Sequence, residues 1–136
     1  MTEAATIQSQ MFAAVERGDA KVLRELCHSD YAYTGVDGVE HEGAEAGLAV
    51  AELYFTAFPD LTIEIVRSHS PTEDVAIAEL RFSGTHTGPL DGIPPSGRRV
   101  QGTGCNVVEI REGRIWRERD YWDDLSLMRQ IGAIAG

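Results

Sequence analysis

The stretch Ile115-Trp116-Arg117-Glu118-Arg119-Asp120-Tyr121-Trp122 reads as one strand. Successive side chains on a strand point to opposite faces. Trp116, Glu118, Asp120 and Trp122 therefore share one face, and Arg117, Arg119 and Tyr121 share the other. The face that carries two tryptophans also carries two carboxyl groups. Burying an ionised carboxylate costs several kcal/mol unless it is paired or neutralised. A carboxyl group held in an apolar pocket has a raised pKa, which suits proton transfer near neutrality. The strand thus predicts an apolar pocket on the tryptophan face, with Asp120 as a candidate acid/base. The plainer alternative pairs Asp120 with Arg81 or Arg99 at a strand end. Glu118 is expected at the rim, in water.

Working outward, Arg111-Glu112-Gly113 makes a hairpin turn back to a strand over Val100 to Ile110. There Val108 and Ile110 set an even-numbered inner face, which brings Asn106 inward. Val75 to Gly84 has Ala76, Ala78, Leu80 and Phe82 on the core side, and His86 shares that parity. The Gly/Pro-rich run Gly88–Gly97 joins these two strands as a wide connection or a lid. Leu61 to Arg67 is a further alternating strand. Upstream, helices are expected up to Gly18, from Ala20 to Cys27 with Asp19 as N-cap, and from Gly43 to Phe58. A short extended piece falls at Tyr31–Thr34, Val36–Val39 makes a strand–turn–strand corner, and Asp123 caps a last helix through Ile131. Helices first and antiparallel strands after make an α+β domain, with no linker or repeat dividing residues 1–136.

The 136 residues are 43% hydrophobic and 25% charged, an ordinary globular balance, with a formal net charge of -10. That charge argues against a nucleic-acid surface and against an anionic membrane surface. No run approaches the ~20 apolar residues of a membrane helix, and the N-terminus lacks a basic leader, so a cytoplasmic protein is expected. Cys27 and Cys105 are too few for a disulfide framework. His28, His41 and His69 show no metal-ligand spacing, so no metal site is expected.

Three stretches carry a family pattern: Phe58-Pro59-Asp60-Leu61; Gly84-Thr85-His86-Thr87-Gly88 with Gly92-Ile93-Pro94-Pro95-Ser96-Gly97; and Gly113-Arg114-Ile115 through Asp120-Tyr121-Trp122-Asp123 to Gly132. In order and spacing they resemble the SnoaL-like polyketide cyclases of the nuclear-transport-factor-2-like (NTF2-like) superfamily. The resemblance implies a cone of curved sheet and helices around one pocket. It also implies ring closure of an aromatic polyketide ester by intramolecular aldol addition, with neither metal nor organic cofactor. Asp120 matches the family's acid/base aspartate and His86 its pocket histidine. Homodimers or homotetramers through the outer sheet face, with Arg117, Arg119 and Tyr121, are also implied.

The expected substrate is a small apolar or aromatic, polyketide-like molecule. Trp116, Trp122, Phe82, Tyr33 and Phe55 are the candidate walls, and Asn106 is a candidate to orient a carbonyl. The competing readings are a related hydroxylase, a more distant isomerase or epoxide hydrolase, and a non-catalytic pocket protein for an apolar metabolite. Helix one lacks the tyrosine of the isomerases. Glu79 and Arg81 give only a reversed, outward version of the hydrolase Arg–Asp pair.

Overall fold

The first helix, α1 (Glu3–Arg17), begins at Thr2, whose side chain accepts the Ala5 N–H, and ends at Gly18 in the left-handed region. Helix α2 (Ala20–Leu26) is capped by Asp19, which accepts the Val22 N–H. The computed structural model describes residues 1–135. Strand β1 (Cys27–Thr34) continues α2 without a gap and is longer than the sequence suggests, and β2 (Glu40–Glu42) is a short edge strand. Helix α3 (Ala44–Ala57) precedes four strands: β3 (Thr62–Thr72), β4 (Val75–Thr85), β5 (Arg99–Arg111) and β6 (Arg114–Trp122). Helix α4 (Asp124–Gln130) closes the chain, with Asp123 accepting the Ser126 N–H as its cap.

All six strands form one sheet in the order β2-β1-β6-β5-β4-β3. Neighbours are antiparallel except β1 and β6, which are parallel. This is the expected α+β class. The parallel pairing puts β6 inside the sheet, so its middle residues are covered on both flanks. Register shifts interrupt the ladders at Ile65/Arg67, His69/Thr72, Cys27/Ala32 and Glu109/Ile110. Each such irregularity bends and twists its strand, and α1, α2 and α3 pack against the inner face.

The main core lies between α1, α2, α3 and the inner sheet face, with Ile7, Met11, Leu48, Ala76, Ala78 and Val108 among its buried members. A smaller cluster of Phe58, Leu90, Val100, Leu127 and Ile131 holds α4 and the Gly88–Gly97 segment against the end of α3. No helix among the described residues is long and apolar enough to cross a membrane.

Candidate active site

Between the inner face of the sheet and helices α1 and α3 lies a mainly apolar cavity. Its walls include Met11, Leu48, Ile63, Leu80, Phe82 and Trp122, and Glu118 and Asp120 reach it from β6. The volume open to the centre of a water molecule is about 140 Å³. One water needs roughly 10–15 Å³ on that measure, so the space suits an organic molecule.

Glu118 corrects the sequence expectation. It is 9 % exposed, not at the rim in water. The reason is the sheet order: β6 is flanked by β5 on one side and β1 on the other, so position 118 lies in mid-sheet. Both carboxyl groups are held by neutral donors. Tyr31 Oη donates to Glu118 Oε1 at 2.7 Å, and Tyr33 Oη donates to Asp120 Oδ2 at 2.7 Å. Asn106 lies opposite Asp120 on β5. Its Nδ2 donates to Glu118 Oε2 at 2.9 Å and to Asp120 Oδ1 at 2.7 Å. The arginine partners considered for Asp120 are elsewhere: Arg81 pairs with Glu64 at 3.2 Å and Arg99 with Asp60 at 3.5 Å.

These surroundings set the proton chemistry. Burial pushes the Glu118 carboxyl up to about 8, and the charge of Asp120 adds to the effect; Tyr31 and Asn106 pull it back. Burial also raises Asp120, against the hydrogen bonds from Asn106 and Tyr33. Among the described residues no Lys or Arg lines the cavity. Two carboxyl groups this close, with no counter-charge, titrate as a pair and do not both ionise near neutrality. Burial and the same charges push the Tyr31 and Tyr33 hydroxyls well above their usual range, so they act as donors.

Four of the sequence-predicted residues line the cavity: Asp120, Tyr33, Phe82 and Trp122. Trp122 meets Tyr54 edge-on, with ring centroids 5.5 Å apart at 86°. Asn106 stands behind the carboxyl pair and does not face the cavity.

Trp116 is displaced from its expected wall. Glu109 pairs with Arg117 and Ile110 with Ile115, which leaves Trp116 as the extra residue of a bulge. The bulge resets the alternation, so Ile115 lines the cavity in its place. Trp116 instead lies between the guanidinium groups of Arg111 and Arg117, 3.4 and 3.9 Å from its ring centroid. Phe55 also leaves the wall; it covers Gly18 at the end of α1, while Tyr54 takes the cavity side.

His86 does not line the cavity. It is fully buried in the Gly/Thr turn, 5.6 Å from Phe58 between ring centroids. Its Nδ1 accepts the Ser96 N–H at 3.1 Å and lies 2.9 Å from Ser96 Oγ. Its backbone exchanges hydrogen bonds with Gly97 and Arg98. His86 thus pins the far end of the Gly88–Gly97 segment, the Thr87 and Gly88 N–H groups donate to the Ala57 carbonyl oxygen at its near end, and Leu90 between them is buried. The segment is strapped down in this structure.

Sequence reasoning missed Tyr31, Gln8 and Gly47. Tyr31 has the parity of Tyr33, two residues on, which was signal enough. Gln8 interrupts the apolar stripe of α1 between Ala4 and Met11, and it is buried. Gly47 lies inside α3, where a Cβ would collide with the Tyr31 hydroxyl. Among the described residues no group of His, Cys, Asp or Glu is arranged to hold a metal ion.

Beyond Tyr33, Tyr54 and Trp122 the cavity adjoins a wider outer hollow rimmed by Asp37, Glu42, Glu45 and Asp91, with His41 beside them.

The sequence pattern of the SnoaL-like polyketide cyclase family matches residues 5–131. The aklanonic acid methyl ester cyclase DnrD of Streptomyces peucetius is 30% identical over 128 residues, covering 90% of this chain and 86% of that protein. The nogalonic acid methyl ester cyclase of Streptomyces nogalater is 30% identical over 126 residues, covering 90% of this chain and 92% of that protein. A solved SnoaL-like structure from Jannaschia sp. CCS1 superposes with a TM-score of 0.86 at 23% identity, over 98% of this chain and 94% of that one. That last likeness is one of fold.

Proposed function

The chain belongs to the SnoaL-like polyketide cyclase family, and we propose that it closes a ring of an aromatic polyketide ester by intramolecular aldol addition, with Asp120 as acid and base in turn. The observation that carries this reading is a buried carboxyl of raised pKa, facing an apolar cavity and held only by hydroxyl and amide donors. In the reaction the Asp120 carboxylate takes the proton from a carbon flanked by carbonyl groups. The resulting enolate carbon attacks a second carbonyl carbon of the same molecule. The new alkoxide then takes the proton back from Asp120. One C–C and one O–H bond form, one C–H bond and one carbonyl π bond are lost, and the mass is unchanged. Electron density moves into the substrate's own carbonyl groups. General acid–base help of this kind is worth ~10²–10⁴-fold, and the Phe82, Tyr54 and Trp122 rings add to it by holding a flat substrate folded for attack.

The acidic rim supports an ester over a free acid. A carboxylate substrate would pass Asp37, Glu42 and Asp91, with Glu45 paired to Arg24 and His41 beside Asp37, and would then meet the Glu118–Asp120 pair, which has no Lys or Arg in its lining. We infer further that copies pair through the outer sheet face, where Tyr121 is 55% exposed. Sedimentation of the wild type and a Tyr121→Glu variant checks this, with a smaller species expected for the variant.

The test of the activity is incubation with tricyclic aromatic polyketide methyl esters carrying a β-keto side chain. A product of unchanged mass with a new chromophore is expected, slowed by ~10²–10⁴-fold in Asp120→Asn with binding retained. Gain of one oxygen would replace the cyclase reading with a hydroxylase. Binding without turnover across the panel would leave a pocket protein.

A further inference from the structure

The polarity of the carboxyl pair is set one layer behind it, by a glutamine on the first helix. Gln8 is 1 % exposed, and its Nε2 lies 3.0 Å from the backbone carbonyl oxygen of Asn106. A carbonyl oxygen only accepts, so this end of the Gln8 amide must be its NH2 group. The same Nε2 lies 2.9 Å from the Asn106 side-chain amide. Facing a donor, that atom of Asn106 must be the oxygen Oδ1. The Asn106 NH2 is then directed the other way, with one N–H for Glu118 and one for Asp120. Both amide orientations are anchored on a main-chain oxygen that cannot rotate.

We propose that Gln8 is a positioning residue for the catalytic carboxyl pair, locking Asn106 with its NH2 toward Glu118 and Asp120 so that the pair can carry a negative charge inside the cavity. The role rests on the working site proposed above. An Asn106 amide flipped by half a turn would present an oxygen to the pair. That oxygen would accept from a protonated carboxyl and repel an ionised one. Gln8 therefore opposes the effect of burial and keeps Asp120 available as a base.

The other titratable groups around the pair leave this role to the amides. Strand β1 presents Tyr31, Tyr33 and Cys27, and α3 presents Tyr54. Burial holds all of them in the protonated form near neutrality, with the Cys27 thiol pushed up to about 12. Strands β3 and β4 contribute apolar Ile63, Leu80 and Phe82. Cys105, on the next position of β5, is also raised by burial. No cation supplies the compensation.

The test reads protonation directly and uses no substrate, so it stands whether or not the cyclase assay succeeds. Carboxyl carbons are labelled with ¹³C in the wild type and in Gln8→Met, which keeps the side-chain length and loses the donor. Glu118→Gln and Asp120→Asn assign the two signals. A hydrogen bond to a charged group is worth about tenfold or more in proton affinity, so the first ionisation of the pair is expected to move up by about one pH unit in Gln8→Met. An unchanged titration in folded Gln8→Met overturns the proposal and leaves Gln8 as a packing residue. If Gln8→Met does not fold, the wild-type Asn106 side-chain N–H signals decide. Both protons are expected to shift as the pair ionises. Signals that ignore that ionisation would overturn the proposal equally.

Discussion

Replacing Glu118 by Gln should abolish a specific pH dependence of stability. The folded chain holds the Glu118 proton up to about pH 8, whereas the same carboxyl in the unfolded chain has its ordinary value near 4.5. Between those two values the folded state binds more protons than the unfolded state. Stability must therefore fall as pH rises through that window, by up to about 1.4 kcal/mol per pH unit, and level off above it. Summed from about pH 5 to about pH 9, the loss is about 4 kcal/mol. A glutamine mimics the protonated acid: its oxygen can accept from Asn106 Nδ2, and its NH2 can donate to the Tyr31 hydroxyl. Position 118 no longer titrates in the variant, so the difference in unfolding free energy between variant and wild type should grow in the variant's favour by about 4 kcal/mol across that range. Urea unfolding at three pH values, extrapolated to water, gives this difference directly. A difference that stays constant from about pH 5 to about pH 9 would refute the shared-proton account of the site.

Other substitutions probe the donors and walls. Tyr33→Phe removes a hydrogen bond from ionised Asp120, so the acid limb of the kcat/KM profile should move to higher pH by about one unit; an unmoved limb would count against Asp120 as the base. Gly47→Ala adds a helix-favouring residue worth up to about 1 kcal/mol, yet its Cβ collides with the Tyr31 hydroxyl. The lost Tyr31–Glu118 bond should win, lowering Tm by roughly 3–8 °C; a higher Tm would show the contact to be dispensable. Trp122→Leu should slow turnover by about tenfold or more by losing an aromatic wall. Trp116→Leu, outside the cavity, should leave turnover within about twofold, and equal losses in the two variants would restore Trp116 to the pocket.

The last strand shows how far alternation reaches. Parity put Glu118, Asp120 and Trp122 on the inner face, and they are there. It failed at Trp116, because one bulged residue opposite Glu109 and Ile110 reverses the count. A bulge depends on the register of two strands, and one strand read alone does not contain it. The misjudged exposure of Glu118 has the same origin. Nothing in Cys27–Thr34 announces that it will pair in parallel with β6, and only that pairing removes position 118 from the rim. His86 had the right parity for its strand but lies one residue beyond it, in a turn where parity no longer governs direction. Gln8, by contrast, was legible: a lone amide on a buried helical stripe must find a partner, and the inward Asn106 already needed one.

The choice of partners around the carboxyl pair is a choice of chemistry. The chain has 12 Lys and Arg residues, and none lines the cavity. Arg81, Arg117 and Arg119 point to the other side of the sheet, where they pair with Glu64, Glu40 and Glu109. An arginine beside Asp120 would fix it as a carboxylate far below neutrality, stable but a feeble base. Burial with no donors would fix it as a neutral acid. Hydroxyl and amide donors lie between these limits: they offset part of the cost of burial without adding charge. The pair can then exchange a proton near neutral pH, which an aldol closure requires twice in opposite directions. The same arrangement constrains the substrate, since a site whose one negative charge has no cation nearby favours a molecule that brings none of its own.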